Sequence, residues 1–328
     1  MNAQILPASD PESIHLAGKT IRQGGLVAFP TETVYGLGCD ALNPDAAAKV
    51  FEAKQRPQFD PLIVHIADRI ELNNVVSTLT ATARQLIDQF WPGPLTLVLP
   101  KQPAIPDLVT AGLGTVAVRM PNHPVAQALI REAGTPIAAP SANPFGYVSP
   151  TTAQHVADGV GRAIDLILDG GPCSVGVEST IVSLVGPQAE LLRPGSITLE
   201  QLSAVIGPLR RSSSVVDHPT APGQLARHYA TQTPVTILTS VTERPMLTKN
   251  ERAGLLIFSQ ASATDERFAA IEVLSTTGDL REAARHLFAA LRRLDTQGLD
   301  RIYVEPCREE GLGMAIMDRL RRCAAPLE

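Results

Sequence analysis

The chain has 328 residues, a length that favours two domains over one, and its 44% hydrophobic content is enough to build real cores. A formal net charge of −5 and only 4% aromatic residues argue against broad nonspecific nucleic-acid binding, though they allow a local basic cleft and a weak RNA contact. No stretch reaches the apolar length of a membrane span, residues 1–10 carry no secretory pattern, and Cys39, Cys173, Cys307 and Cys323 form no C-x-x-C pair, so the expectation is a cytoplasmic protein with no zinc site.

Asp10-Pro11-Glu12 predicts a helix start, with Asp at the cap and Pro in the first turn. Ile14, Ala17 and Ile21 complete one amphipathic helix, which stops at Gly24-Gly25. Gly18-Lys19-Thr20 within it has the ending of a phosphate-binding loop. Ser13 stands where that motif needs a glycine, and no strand precedes it, so the motif is rejected. Leu26–Phe29 is apolar enough for one buried strand, which Pro30 ends. Thr31, Glu32 and Thr33 crowd polar groups at its exit, and Gly36 and Gly38 allow a bend or a close approach to a ligand. A strand followed by a glycine turn fits the same residues.

A second helix starts at Asn43-Pro44-Asp45 and runs to about Lys54. Lys54 and Arg56 can be a simple dipole-complementing cap, yet they sit just before another buried strand, Leu62–Ile66. On that strand Ile63 and His65 share one face, so His65 matters only if that face lines a pocket. Leu79–Phe90 reads as a helix and Leu95–Leu99 as a strand. Thr115–Met120 alternates, with Thr115, Ala117 and Arg119 on one side. Arg119, near the strand's end, can be a surface residue or can fork onto a carboxylate. Pro124–Glu132 is helical. Pro136–Pro140 is a small-residue strand leading to Ser141-Ala142-Asn143-Pro144, either an ordinary turn or a set of donors for an anion. Thr151–Val160 and Thr198–Ile206 are helices, and Asp165–Leu168, Val177–Val182 and a segment ending at Leu191–Gly195 are strands.

Arg210–Pro222, rich in Ser, Pro and charge, reads as a linker. The domains expected are 1–206, a linker of 207–233, and 234–328. The last has its own α/β pattern. Val235–Leu238, Leu255–Phe258, Glu272–Leu274 and Ile302–Val304 are its strands, and Asp279–Leu294 and Leu312–Cys323 are amphipathic helices.

Six stretches taken in order carry a resemblance. Phe29–Gly38, Lys54-x-Arg56, Pro61–His65, Arg119-Met-Pro, Pro140–Asn143 and Glu178-Ser-Thr180 are similar to the YrdC-type threonylcarbamoyl-AMP synthases over roughly residues 10–206, and the tail resembles the long form of that family. The resemblance implies an α/β (α+β) fold: a twisted open mixed sheet with flanking helices, then a smaller Rossmann-like α/β domain, joined by a linker that can cover the active site. It also implies synthesis of L-threonylcarbamoyl-AMP and pyrophosphate from L-threonine, bicarbonate or CO2, and ATP. The adenylate would pass to tRNA-threonylcarbamoyl transferase proteins for modification beside the anticodon.

By the same resemblance, Lys54 and Arg56 would be the catalytic cations. They would hold ATP together with Asp60, Thr115, Ser141, Asn143, Ser149, Arg193 and Tyr229. Thr33, His65, Arg119, the backbone of Ala139 and Ser179 would hold threonine. Mg2+ would accompany the triphosphate, with no protein ligand named. Asp60 stands where the family often has a neutral polar residue. Its carboxylate would repel phosphate unless paired with Arg56 or magnesium, and it could contact a ribose hydroxyl. Arg56→Ala is expected to cause severe loss of activity with folding retained. Two other functions compete: an RNA-binding module without chemistry, against which the acidic charge and few stacking platforms count, and a carbamoyl-transfer relative with another acceptor.

Overall fold

The computed structural model describes residues 2–212, 219–241, 243, 245–248, 250–259 and 265–326; part of the predicted linker, 213–218, lies outside them. The chain opens with strand β1 (Gln4–Pro7), helix α1 (Pro11–Arg22), β2 (Val27–Phe29), β3 (Gly36–Asp40), α2 (Pro44–Lys54) and β4 (Ile63–His65). Next come α3 (Leu72–Val75), α4 (Ala81–Phe90), β5 (Leu95–Pro100), α5 (Asp107–Thr110), β6 (Thr115–Arg119), α6 (Pro124–Ala133) and β7 (Ile137–Ala138). Helix α7 (Ala153–Gly159), β8 (Leu166–Asp169), β9 (Thr180–Ser183), β10 (Glu190–Arg193), α8 (Leu199–Ile206) and β11 (Arg210–Arg211) complete the larger unit. The smaller one holds β12 (Val235–Ile237), β13 (Ala253–Ser259), β14 (Ala270–Ser275), α9 (Leu280–Asp295), β15 (Arg301–Val304) and α10 (Gly313–Ala324).

Strands β1 to β11 form one mixed sheet in the order β1-β8-β2-β3-β7-β4-β6-β5-β9-β10-β11, and the last four form a parallel sheet ordered β12-β15-β13-β14. The α/β class with a mixed sheet and a second parallel sheet is as expected. Three strands differ from the sequence expectation: β1 pairs parallel with β8 at one edge, β3 runs antiparallel to β2 although it begins with Gly36-Leu37-Gly38, and β11 pairs parallel with β10 at the start of the stretch read as linker. Those glycines are strand residues because the neighbours leave no space. A Cβ on Gly38 would meet Phe29 and Ile137 at 2.8 Å.

Gly18 has an equally plain role. A Cβ there would meet the Glu132 side chain at 2.5 Å, so this glycine lets α1 cross α6 closely and holds no phosphate. Asp10 caps α1 by accepting from the Glu12 amide, as its sequence signature predicts.

A large apolar core fills one side of the big sheet, with Leu37, Val64, Leu97 and Val118 among its buried residues. A second core joins the two sheets' territories. Val34, Val148 and Val177, from loops of the larger unit, pack with Leu287 and Phe288 of α9 and with Ile316 and Leu320 of α10. Gly176 permits that contact. Its φ is +84°, and a Cβ would lie 2.3 Å from the Arg285 Cα. The loops that carry Thr33, Ser149 and Ser179 are thereby fastened to the helices of the smaller unit.

Candidate active site

Parallel pairing of β4 with β6 puts His65 directly beside Arg119 at the strand ends. β7 runs antiparallel to β4, so the chain leaving it passes Ile63 with Ala139 and goes on to Ser141. The start of β9 supplies Ser179 and the end of β10 supplies Arg193. One cavity collects these groups. Thr33, Arg56, His65, Arg119, Ala139, Ser141, Ser179, Arg193 and Tyr229 line it, with Thr31, Glu178 and His228. Nine of the predicted site residues, drawn from positions far apart in the chain, therefore share one wall.

Arg119 is almost fully buried. It pairs with Glu32 at 2.7 Å, and its Nη1 donates to the Thr33 hydroxyl at 2.9 Å and its Nε to the Gly93 carbonyl at 3.2 Å. A guanidinium has five N–H groups, so two stay available for an incoming carboxylate. Arg56 pairs with Asp60 at 2.9 Å and donates to the carbonyls of Asp60 and Pro61. The acidic residue at position 60 is thus matched by Arg56. Burial raises the Asp60 carboxyl above its ordinary range, and Arg56, Lys54 and Arg193 pull against that rise.

Lys54, Asp60, Asn143 and Ser149 stand behind the cavity wall. The Lys54 ammonium donates to the carbonyls of Ser141 and Asn143, which ties the loop that presents Ser141. Burial, with Arg56 close by, pushes the Lys54 amine well below its usual value. Asn143 Nδ2 donates to the carbonyls of Pro144 and Tyr147. Ser149 donates to Glu178 at 2.5 Å. Thr115 is half-buried at the opposite end of β6 from Arg119, about 13 Å away along the strand.

Residues between 222 and 229 form part of the cavity wall. Pro222, Gly223, His228 and Tyr229 line it, and Arg193 donates to the Pro222 carbonyl at 3.2 Å. Tyr229 is buried, has a left-handed φ of 64°, and stacks on Phe288 of α9 at 5.6 Å between centroids. A bulky residue held at positive φ is strained, and such strain concentrates at ligand clamps. The free space in the cavity is only about 40 Å³, against roughly 300–1,000 Å³ for ordinary ligand pockets.

Buried polar atoms without a hydrogen-bond partner gather at this place. Glu32 Oε2, Asn143 Oδ1, His228 Nδ1, the Tyr229 hydroxyl and Arg319 Nη2 are among them. Orphaned groups of this kind are costly in a folded core and point to a ligand that completes them.

Burial, together with Arg119, depresses the His65 ring from its ordinary value of 6.5 to about 3. At neutral pH His65 is an uncharged hydrogen-bonding wall, with Nδ1 donating to the Ile63 carbonyl at 3.1 Å, and its value is too far from 7 for an acid–base role. The depressed value gives stability that is complete above the unfolded ring's value of 6.5 and is lost as pH falls toward 3. Urea unfolding should show that His65→Gln removes about 2 kcal/mol of the loss seen between about pH 6.5 and about pH 5. An unchanged pH dependence in that variant would mean that the folded ring takes up the proton.

The sequence motifs assign no role to Thr31, Glu178 or His228, which line the cavity, nor to Glu32, which partners Arg119. Arg319 comes from α10, and its guanidinium lies 5.1 Å from the Tyr229 ring centre. Its signal was present: Ala315, Ile316, Arg319, Leu320 and Cys323 fall at helical spacing on one face, so a charge stands in an apolar stripe.

A family model of the Sua5, YciO and YrdC proteins, described as telomere recombination, matches residues 19–195. A second, described as the threonylcarbamoyl-AMP synthase C-terminal domain, matches residues 197–325. The threonylcarbamoyl-AMP synthase of Pyrococcus abyssi is 44% identical over 95% of this chain and 94% of its own length. That of Bacillus subtilis is 44% identical over 97% of this chain and 94% of its own. The crystal structure of P. abyssi Sua5 complexed with L-threonine superposes with a TM-score of 0.90 at 41% identity, covering 96% of this chain and 95% of that one. The chain belongs to the threonylcarbamoyl-AMP synthase family, in the form that carries the Sua5 C-terminal domain.

Proposed function

We propose that this cavity joins L-threonine, bicarbonate or dissolved CO2, and ATP into L-threonylcarbamoyl-AMP with release of pyrophosphate. The supporting observation is the meeting of Arg56, Arg119 and Arg193 with Thr33, Ser141 and Ser179 around one cavity. Three fixed cations suit a ligand set that brings a triphosphate and an amino-acid carboxylate. P. abyssi Sua5 was crystallised with L-threonine.

The threonine amine attacks CO2, loses a proton and becomes a carbamate. A carbamate oxygen then attacks the α-phosphorus, and pyrophosphate leaves. Neither step needs a protein nucleophile, and catalysis by positioning and charge stabilisation suits a site lined by three guanidinium groups. Arg119, Thr33, His65, Ser179 and the Ala139 backbone would orient threonine. Arg56, Ser141, Asn143, Ser149, Arg193 and Tyr229 would hold ATP. Lys54 would act on the phosphates through the loop it ties, with Asp60 keeping Arg56 in place. Thr115, at the far end of β6, would reach only the distal part of the nucleotide. Closure of 222–229 excludes water and so spares the carbamate and the mixed anhydride from hydrolysis.

Magnesium would enter with the triphosphate as part of the substrate. Such an ion would be coordinated mainly by phosphate and water. The adenylate would be consumed by transferase proteins that modify tRNA. No helix among the described residues is long and apolar enough to cross a membrane, and a cytoplasmic location is part of the same proposal.

Purified protein given ATP, threonine and bicarbonate should release pyrophosphate, and leaving out threonine should stop it. Release at the same rate without threonine would remove the substrate assignment.

A further inference from the structure

We infer that Arg319 is a positioning residue through which the smaller unit sets the affinity for ATP, by compensating Glu178 and, through it, fixing Ser149. The inference rests on the nucleotide reading above.

Arg319 is completely buried, and its Nε donates to Glu178 Oε2 at 2.8 Å. The other Glu178 oxygen accepts from the Ser149 hydroxyl at 2.5 Å. A continuous chain therefore runs from α10 through a carboxylate that lines the cavity to a hydroxyl on the loop that follows Asn143. The Arg319 guanidinium also lies over the ring of Tyr229 and pairs with Asp318 at 2.5 Å.

Interface packing alone does not call for this arrangement. A buried guanidinium is costly to desolvate, and an apolar side chain of similar volume commonly packs as well or better. What an apolar residue cannot supply is a counter-charge for Glu178. Without one, a carboxylate would face the space where a triphosphate enters, and it would repel that ligand. With Arg319 in place the repulsion is cancelled and one Glu178 oxygen is left to orient Ser149.

The test is a comparison of steady-state pyrophosphate release by the full-length chain, Arg319→Gln, Glu178→Gln and the double variant, with folding followed by thermal melting. Release by the unaltered chain checks the underlying function separately. Arg319→Gln should raise the KM for ATP about tenfold or more while the KM for threonine stays within about threefold. The double variant, which removes both charges, should bring the ATP KM back to within about fivefold of the unaltered chain. Equal rises for both substrates, or a double variant no better than Arg319→Gln, would overturn the inference and leave Arg319 as interface packing. Should Arg319→Gln alone fail to fold, the double variant decides by the same fivefold limit. A double variant that does not fold would also overturn it.

Discussion

Arg119→Ala should raise the KM for threonine by about 10- to 100-fold and lower stability by about 3–5 kcal/mol. The two effects have separate causes. The stability loss comes from Glu32, whose side chain is 7% exposed and sits 2.7 Å from the guanidinium. Removing the cation strands a buried carboxylate. The KM effect comes from the two N–H groups that Glu32, Thr33 and Gly93 leave unused, because a charge-assisted contact contributes about 1.5–3 kcal/mol. The Arg119→Ala/Glu32→Gln double variant separates them: urea unfolding should show most of the stability restored, while the threonine KM stays high. Arg119→Lys keeps the charge and loses the fork, so its KM should lie between. A folded variant with an unchanged threonine KM would take the carboxylate contact away from Arg119.

Much of this pocket was legible in the sequence because strand alternation is a local property. The 2-residue period put Ile63 with His65 and Ala117 with Arg119, and both pairs face as that period requires. The register that sets His65 against Arg119 is nonlocal, and no periodicity reports it. Strand β3 was illegible for a different reason. Glycine carries no side chain to show a pattern, and the space that makes Gly38 necessary belongs to Ile137, about a hundred residues away. The smaller unit's part in the site was hidden by the same amphipathic pattern that revealed α10. Such a pattern says that one face is buried, and only the misplaced charge of Arg319 says that the burial is against something polar. The tie between Lys54 and the Ser141–Asn143 carbonyls likewise depends on where a loop returns, which spacing does not encode.

Arg56→Ala should be more damaging to the fold than the sequence suggests. A side chain reserved for ligand would leave folding intact when removed, which is the expectation the motif alone supports. Arg56 instead pairs with a carboxylate whose side chain is 0% exposed, at 2.9 Å. Taking away one partner of a buried pair costs about 3–5 kcal/mol, a large share of a total stability of about 5–15 kcal/mol. Pyrophosphate release should also fall by at least about 100-fold, because a phosphate contact is lost and Asp60 is left without its nearest counter-charge. Arg56→Ala/Asp60→Asn tells the two roles apart. Removing the stranded carboxylate should return most of the urea midpoint, and turnover should stay low because the cation is still missing. Recovery of both stability and turnover in that double variant would mean that Arg56 serves Asp60 alone, and the triphosphate would then have to be held by Arg193 and the Ser141 loop without it.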